Sequence, residues 1–450
     1  MQAQKYRLIK ITAVLLLFAV PIISGSLTGC TNNNEPAPYS DSSYFAYMDP
    51  GAHMGEPGDI LPFSAKMFNK TGLQVTPKSF TVSWSVAPAG LGTFSAGTPA
   101  GTVNFLPGPF PGVGTVTANI NLYGQNYKAK SAVNVPPYHD VFPYDVLPSA
   151  LSPVLGDEGI KLKPVYFGTE NPVFKFSSSN ETIVKTDNVG NLSFLAPGFS
   201  IITVSATLLD SVFSYPVPVL VNAAAPEYAH VKRLILPPYI EMFTDSTLNL
   251  KNLLRSENNK GIQDTLKSKV TWRIMAKDSM RNRLTVNGNR DLPAYGWLPV
   301  AISDTLGNVT ARRPGASYIY ASAPGYVTAV SELAVHHDTI AVLTPAHIDV
   351  SAGGTYKVSF KYFTINHSAY RAGQNPVSTE VTYIPTGGVV FPVTADTTLN
   401  KKYRGLVTLL GANPYEQNFK HNAGKTGNTF FDLVVPGRFI RQGIGRITGK

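Results

Sequence analysis

The sequence predicts an all-β chain built from several sandwich domains. Short runs that alternate between apolar and polar residues recur along the chain and are separated by Gly, Pro and Asn, as strands joined by turns are. Glycine and proline account for 38 and 35 of the 450 residues, whereas charged residues make up 15%. Long apolar repeats with a period of 3.6 residues, which would indicate helices, do not occur in the sequence.

The chain begins with a segment that reads as a secretory leader. Three cations, Lys5, Arg7 and Lys10, precede an apolar run from Ile11 to Ile23, and small residues follow the run. Charge, apolar run and small residues in this order are typical of a secretory signal. The run is shorter than the about 20 apolar residues that a transmembrane helix needs.

The leader ends in Leu27-Thr28-Gly29-Cys30, and Cys30 is the single cysteine of the chain. These residues resemble the bacterial lipobox, at which a precursor is cut before the cysteine and the cysteine is lipidated. The resemblance implies a lipoprotein signal peptide over 1–29 and a lipid anchor on Cys30. An ordinary secretory signal with an incidental cysteine is the alternative. One cysteine also means that no internal disulfide can form, so the domains must be stable through packing alone.

Residues 30–43 are predicted to form a flexible tether between the anchor and the first domain. The stretch after Cys30 is rich in Asn, Pro, Ser and Ala and almost lacks large aliphatic residues. Several acyl chains on Cys30 would hold the protein firmly to a membrane. Thr31 differs from the aspartate that retains enterobacterial lipoproteins in the inner membrane. That resemblance favours the outer membrane and leaves open which face the protein occupies.

An internal repeat runs through the middle of the chain. Residues 187–200 and 304–317 align without a gap, because both begin with Asp-x-x-Gly-Asn and end with Pro-Gly-x-Ser. Asp and Gly predict a tight turn, since Gly accepts positive φ. Pro-Gly predicts a second turn before the next strand pairs back. A looser copy occupies 101–118.

A predicted strand with a central aromatic residue, Trp84, Phe176 or Trp272, precedes each copy. With the run Ser177-Ser178-Ser179-Asn180, this order resembles the bacterial immunoglobulin-like family, group 2. The match is closest over 173–222, weaker over 270–335 and weakest over 80–135. It implies tandem immunoglobulin-like β-sandwiches in a rod, of the kind that act as spacers or adhesive modules on bacterial surfaces, and it transfers no catalytic residue. The two tryptophans lie mid-strand and are predicted to be core residues, with sugar-stacking platforms as the alternative.

The residues after Cys30 are too many for one small core and predict three to five domains. Pro136-Pro137 and the stretch Ala223-Ala224-Ala225-Pro226 mark two joints, and short joints that contain proline predict a semi-rigid rod. The predicted immunoglobulin-like domains cover 44–136, 137–225 and 226–336, and a C-terminal β domain without a clear copy of the repeat covers 337–450.

An insert over 275–303 distinguishes the third predicted domain. A long excursion between strands is a natural place for function. Its cations and aromatic residues suit a glycan ligand, through stacking and charge-assisted hydrogen bonds. The alternative is a longer hairpin that packs onto its own domain. The predicted ligand-binding residues are Trp297, Tyr295, Arg281, Arg283 and Arg290.

The formal net charge is +10, which by itself could favour an anionic partner. The cations are scattered, however, so a solvated surface is expected and no nucleic-acid partner is predicted. The last fifty residues are the most basic region. They fit either an anionic partner or a sheet edge protected by Lys and Arg.

The sequence yields no candidate catalytic residue, cofactor site or metal site. It contains no His-Glu-x-x-His, Gly-x-Ser-x-Gly or phosphate-binding loop. Its sparse carboxylates offer no evident pair for glycoside hydrolysis. His336 and His337 would point to opposite faces of a strand and could not easily share one ion.

The expected function is therefore that of a non-catalytic, membrane-anchored cell-envelope lipoprotein, with an immunoglobulin-like rod for adhesion or polysaccharide binding. Its expected partners are the membrane, reached through lipid on Cys30, and a polysaccharide or an envelope protein. A structural or assembly subunit of an envelope protein complex is the alternative. A third interpretation is an enzyme that uses an acidic residue of the C-terminal domain, such as Asp432.

Overall fold

The structure is a computed structural model of the chain. The predicted signal peptide and tether, including Cys30, lie outside the described residues. The described ranges are 44–55, 59–69, 72–97, 100–136, 144–166, 171–208, 210–223, 232–258, 261–263, 266, 269–275, 301–303, 306–311, 315–336, 338–344, 347–351, 353–374, 376–381, 407–413, 416–432, 440–441 and 444–449.

The first sandwich packs two four-stranded sheets around one core. Its strands are β1 (Tyr44–Asp49), β2 (Ala52–Met54), β3 (Leu61–Asn69), β4 (Thr81–Ala87), β5 (Gly92–Ala96), β6 (Thr102–Pro107), β7 (Gly112–Leu122) and β8 (Gln125–Val135). The sheet orders are β1-β3-β6-β5 and β2-β8-β7-β4. Alternate residues of β7 are buried, as expected for a strand with one face on a core. Phe63 and Phe105 from one sheet meet Val116 and Ile120 from the other in that core.

The second sandwich follows the same plan with shorter outer strands. Its strands are β9 (Asp145–Leu147), β10 (Lys163–Val165), β11 (Lys175–Ser178), β12 (Val184–Thr186), β13 (Leu192–Phe194), β14 (Gly198–Leu208) and β15 (Ser211–Val221). The central sheet has the order β11-β14-β15, and the pairs β10-β9 and β12-β13 complete the sandwich. Ile202, Val204, Val217 and Val219 are fully buried in its core.

The third sandwich contains three small sheets. Its strands are β16 (Lys232–Ile235), β17 (Tyr239–Phe243), β18 (Thr247–Asn249), β19 (Arg255–Asn258), β20 (Gly261–Gln263), β21 (Thr271–Met275), β22 (Ala301–Ser303), β23 (Asn308–Ala311), β24 (Gly315–Ser322), β25 (Tyr326–Val327) and β26 (Ala329–His336). The sheet orders are β20-β19-β16-β25, β17-β26-β24-β21 and β18-β23-β22. Leu250, Val309, Ile319 and Leu333 are fully buried in the core.

The C-terminal domain is also a β structure. Its elements are β27 (Thr339–Thr344), β28 (His347–Val350), β29 (Thr355–Ile365), α1 (His367–Arg371), β30 (Val377–Val381), β31 (Val407–Asn413), β32 (Glu416–His421), β33 (Gly427–Asp432), β34 (Ile440–Arg441) and β35 (Ile444–Gly449). One sheet has the order β31-β32-β29-β27-β34, with β30 also paired to β29, and the other has the order β28-β35-β33. Short 3-10 turns elsewhere in the chain cover Pro77–Ser79, Ala89–Leu91 and Leu250–Asn252.

One strand pairing recurs in all three sandwiches and in the C-terminal domain. A short segment near the start of each of these domains pairs in parallel with the last described strand of the same domain. The pairs are β2 with β8, Leu151 with Val219 on β15, β17 with β26, and β28 with β35. The C-terminal domain thus shares a topological feature with the other three, although its sequence shows no clear copy of the repeat.

The first predicted turn of the repeat is present where the structure describes it. Gly190 and Gly307 both adopt positive φ, at 89° and 84°. The Asp187 carboxylate accepts hydrogen bonds from the backbone N–H groups of Val189 and Asn191, which closes the turn. The prediction of an all-β chain of tandem immunoglobulin-like sandwiches is therefore confirmed.

Candidate functional site

The predicted glycan site cannot be compared with the structure. Trp297, Tyr295, Arg281, Arg283 and Arg290 all lie outside the described residues, as does Cys30. At the edges of the predicted insert, Met275 ends β21, and residues 301–303 form β22. Asp432, proposed above as an acidic residue of an enzyme, is the last residue of β33.

The two mid-strand tryptophans belong to cores. Trp272 is 9% exposed and lies in the core of the third sandwich. Trp84 is partly buried and packs against the core of the first sandwich. The prediction that both are core residues is confirmed, so neither serves as an open platform for sugar stacking.

Several hydrogen-bonded polar side chains of the described residues lie where domains meet. At the first junction, Ser149 of the second sandwich contacts Glu332 of the third. The backbone N–H and the hydroxyl of Ser149 donate hydrogen bonds to Oε2 of Glu332, at 2.6 and 2.9 Å. Both residues are buried, at 1% and 3% exposed. Because a buried carboxylate is costly without donors, these hydrogen bonds hold Glu332 in one position against the second sandwich.

The first sandwich joins the same junction through His53 on β2. The His53 ring is fully buried, and its centroid lies 4.5 Å from that of Tyr318 on β24. Its Nε2 lies 3.1 Å from the hydroxyl of Tyr320. Burial raises the pKa of both tyrosines, so their hydroxyls remain protonated at neutral pH.

Two further contacts connect the first sandwich to its neighbours. The side-chain amide of Asn134 donates to the backbone carbonyls of Ser149 and Pro216, at 2.7 and 2.9 Å. Lys66 forms an ion pair with Asp49 at 2.5 Å and also donates to the Thr328 hydroxyl at 3.1 Å. The first sandwich therefore contacts both the second and the third.

A second junction is centred on the carboxylate of Glu241, on β17. His336 lies 2.8 Å from Oε1 of Glu241, Lys163 donates to Oε2 at 2.6 Å, and the Tyr370 hydroxyl also donates to Oε1. Lys163 belongs to the second sandwich, Glu241 and His336 to the third, and Tyr370 to α1 of the C-terminal domain. Three successive domains therefore meet on one carboxylate.

The environment of Glu241 makes it a stable anion. Burial raises the pKa of this carboxyl group, but the hydrogen bonds from His336, Lys163 and Tyr370 outweigh burial and lower the pKa from 4.5 to about 2. A carboxylate with so low a pKa is a weak general base at neutral pH. His336 is 6% exposed and its ring faces Glu241. The cluster is thus arranged to hold three domains together.

Other side chains strengthen the contacts of the C-terminal domain. The His367 ring stacks on Phe243 of the third sandwich, with centroids 3.5 Å apart and planes 15° apart. His367 also contacts Asp338 at 2.9 Å. Nδ1 of His347 lies 3.1 Å from Oδ2 of Asp210, at the tip of the β14–β15 hairpin.

Sequence reasoning missed these junction residues. Glu241, Glu332 and Ser149 belong to no motif, and His336 drew attention only as a possible metal ligand. Across the described part of the chain, no group of three or more His, Cys, Asp or Glu residues is positioned to hold a metal ion. Nor does that part of the chain contain a helix with the length and apolar character needed to span a membrane.

The chain is similar in structure to several proteins with many domains. The eight N-terminal immunoglobulin domains of Down syndrome cell adhesion molecule align at 11% identity and a TM-score of 0.18, over 90% of this chain and 48% of that chain. Domains 1–6 of the surface layer protein SbsC align at 11% identity and a TM-score of 0.16, over 90% and 54%. The insect immune protein hemolin aligns at 10% identity and a TM-score of 0.16, over 89% and 97%.

This chain spans about half the length of the first two of these structures. At such low TM-scores the alignments carry no argument about function. No protein-family model matches the chain, and no curated protein matches it significantly. The resemblance to the group 2 family therefore remains a prediction within the broader immunoglobulin-like class.

Proposed function

We propose that this chain is a non-catalytic, lipid-anchored protein of the bacterial cell envelope. Its immunoglobulin-like domains would form a packed scaffold that carries out adhesion or polysaccharide binding away from an outer membrane. The observation that carries the proposal is that two carboxylates, the buried Glu332 and the partly buried Glu241, join neighbouring domains. Glu241 and Glu332 each accept hydrogen bonds from a neighbouring domain.

The junctions support a scaffold rather than a set of freely hinged modules. Domains of one chain are by default mobile relative to one another, unless their interface is large and hydrophobic. Here Glu332 and Glu241 each accept hydrogen bonds from other domains, so a change in domain orientation would break these bonds, at a cost of about 1–3 kcal/mol. A scaffold with fixed joints can hold a binding surface at a constant distance from a membrane.

The anchor is proposed from the lipobox-like residues Leu27-Thr28-Gly29-Cys30. Its test is the intact mass of the protein extracted from native membranes, compared with a Cys30→Ser variant. The wild-type mass should equal residues 30–450 plus acyl chains and a glyceryl group, and the variant should lack lipid. A wild-type protein without lipid on Cys30 would contradict the proposal.

The glycan ligand is proposed from Trp297, Tyr295, Arg281, Arg283 and Arg290. Its test is the migration of the detergent-solubilised protein through native gels loaded with neutral or acidic polysaccharides. Retardation by one polysaccharide that is lost in Trp297→Ala would support a site on the insert. A Trp84→Phe variant is the matched control, because Trp84 packs against a core and its replacement should leave the retardation unchanged.

The alternative is a structural or assembly subunit of an envelope protein complex. The same junctions favour it as well, because a subunit of a complex also needs fixed joints. If no polysaccharide retards the protein, cross-linking in intact cells followed by isolation of the partner distinguishes this alternative from adhesion to a glycan.

A further inference from the structure

The two ends of the first sandwich have different surroundings. In the β7–β8 hairpin, Gly112 pairs with Val135 at one end and Leu122 pairs with Gln125 at the other. The Val135 end lies next to Asn134, which donates to backbone carbonyls of the second sandwich. The hairpin turn is therefore at the end of the sandwich opposite to the domain junction.

This far end exposes two large apolar side chains. Tyr123, in the turn of the hairpin, is 75% exposed, and Leu73, in the turn after β3, is 66% exposed. Tyr44 begins β1, pairs with Asn69 at the end of β3, and lies with its ring centroid 6.3 Å from that of Tyr123. Asn69 in turn donates its backbone N–H to the carbonyl of Leu73. Tyr44, Leu73 and Tyr123 are called the aromatic tip below.

The backbone of Tyr123 is in a conformation that bulky residues rarely adopt. Its φ is 51°, and the following Gly124 has a φ of 82°. Asn, Asp and Gly are the residues that tolerate left-handed conformations, so a tyrosine here costs stability. A strained and exposed aromatic residue points to a role outside the folding of the sandwich.

The corresponding hairpin of the second sandwich makes an inter-domain contact. Strands β14 and β15 match β7 and β8 in length, with 11 residues each, and their turn contains Asp210 at a φ of 54°. Asp210 contacts His347 of the C-terminal domain. In the second sandwich, the tip of this hairpin therefore contacts another domain. In the first sandwich, the tip of the corresponding hairpin exposes Tyr123.

The short length of chain between Cys30 and the first sandwich indicates what the aromatic tip contacts. Tyr44 is the first described residue, and residues 31–43 separate it from Cys30. That stretch can span at most roughly 45 Å, even when fully extended. A lipid on Cys30 thus keeps the membrane surface within reach of the aromatic tip, which lies at the end of the sandwich where the chain arrives from the anchor.

The charge of the hairpin fits an anionic surface. Residues 112–135 contain Lys128 and Lys130 and no Asp or Glu. Lys128 is exposed and pairs with Asn119, a few residues from the turn. Tyrosine side chains favour the interface between lipid and water, and lysines nearby are attracted to anionic headgroups.

We infer that the aromatic tip, Tyr44, Leu73 and Tyr123, docks into the headgroup layer of the membrane that holds the lipid anchor. The inference rests on the proposed lipidation of Cys30. Docking would convert a tethered first sandwich into one with a fixed orientation on the membrane, with its junction end directed away from the lipid.

The test uses the full lipidated protein in vesicles of phosphatidylethanolamine and phosphatidylglycerol that contain a lipid with a nitroxide on its headgroup. A fluorophore is attached to a cysteine introduced by Asn126→Cys, an exposed position beside the turn. A second preparation carries the fluorophore at Val212→Cys, which is 74% exposed on the second sandwich. Flotation of the protein with the vesicles shows whether the lipid anchor is inserted, independently of the quenching, which shows whether the tip reaches the headgroups.

The inference predicts quenching at position 126, no quenching at position 212, and loss of the quenching in a Tyr123→Asn, Leu73→Ser double variant. Asn accepts the left-handed conformation, so the variant should keep the fold, which its circular dichroism spectrum checks. Protein that floats with vesicles but shows no quenching at 126, or equal quenching in the double variant, would overturn the inference and leave the anchor intact. Protein that does not float with the vesicles would contradict both the proposed lipid anchor and the docking of the aromatic tip.

Discussion

The indole of Trp272 lies directly against the backbone of Gly307. A β-carbon at position 307 would be 2.8 Å from the indole nitrogen, which is closer than real contacts allow. The second sandwich has the same arrangement, where a β-carbon on Gly190 would be 2.9 Å from the ring of Phe176. The aromatic strand and the Asp-x-x-Gly-Asn turn, which are separate motifs in the sequence, are therefore two halves of one packing unit.

This packing unit predicts the effect of a methyl group at Gly190. Gly190→Ala should lower the free energy of unfolding of the second sandwich. Alanine is strained at positive φ by about 1–2 kcal/mol, and its methyl group would overlap the Leu162 carbonyl oxygen and the ring of Phe176, adding about 1–3 kcal/mol. Gly124→Ala is the control, since Gly124 also has positive φ but no atom lies within 4 Å of the added β-carbon. Urea denaturation measures the free energy of unfolding of both variants. Equal losses in Gly190→Ala and Gly124→Ala would contradict the packing argument.

A buried hydroxyl connects the core of the second sandwich to its main hairpin. Tyr144 is fully buried, and its hydroxyl lies 2.8 Å from the carbonyl of Val204 and 3.1 Å from that of Phe213. Tyr144→Phe should lower the free energy of unfolding by about 1–2 kcal/mol, because the bond is lost and the carbonyls stay buried. The same change at the exposed Tyr123 should have no measurable effect. The prediction fails if thermal denaturation gives the two variants the same midpoint.

The Ser149–Glu332 contact should determine how firmly the second and third sandwiches are joined. Ser149→Ala removes the hydroxyl donor and Glu332→Gln removes the charge, so each should weaken the junction by about 1–3 kcal/mol. The two effects should be non-additive, because the hydroxyl of Ser149 donates directly to the Glu332 carboxylate. Hydrogen exchange of the amides of β26 in the single and double variants measures the coupling. Additive effects would show that the contact contributes no coupling energy.

The second junction should lose stability in acid. The pKa of Glu241 is lowered to about 2 in the folded protein from 4.5, so the anion stabilises the fold above pH 4.5 and this contribution is lost as the pH falls towards 2. Glu241→Gln should therefore be less stable than wild type at pH 7, by on the order of 3 kcal/mol, and the difference should shrink in acid.

The measurement is chemical denaturation at several pH values between 7 and 2. Glu380→Gln is the control, because Glu380 forms an exposed ion pair with Lys361 and should contribute little at any pH. A constant difference between Glu241→Gln and wild type across this range would contradict the role assigned to the Glu241 anion.

The sequence predicted the local features of the repeat correctly. Turn chemistry at Gly190 and Gly307 and the alternating strands that follow are properties of a few neighbouring residues, so they can be inferred from sequence alone. The core positions of Trp84 and Trp272 followed from their mid-strand location for the same reason.

The C-terminal domain shows the limit of this reasoning. β28 ends at Val350, and Gly353, at a φ of 74°, lies between it and β29. The parallel pairing of β28 with β35 joins segments almost 100 residues apart, and no local pattern encodes it. That pairing, rather than any motif, relates this domain to the other three.

The all-β class, the first turn of the repeat and the candidate lipidation site at Cys30 can be inferred from sequence, because each depends on the chemistry of adjacent residues. The charged groups that hold the domains together can be identified only in the folded protein. Glu241 acquires its role from Lys163, His336 and Tyr370, which are distant in sequence and meet only when three domains pack. The role of the Glu241 carboxylate therefore depends on its partners, and only the fold brings those partners together.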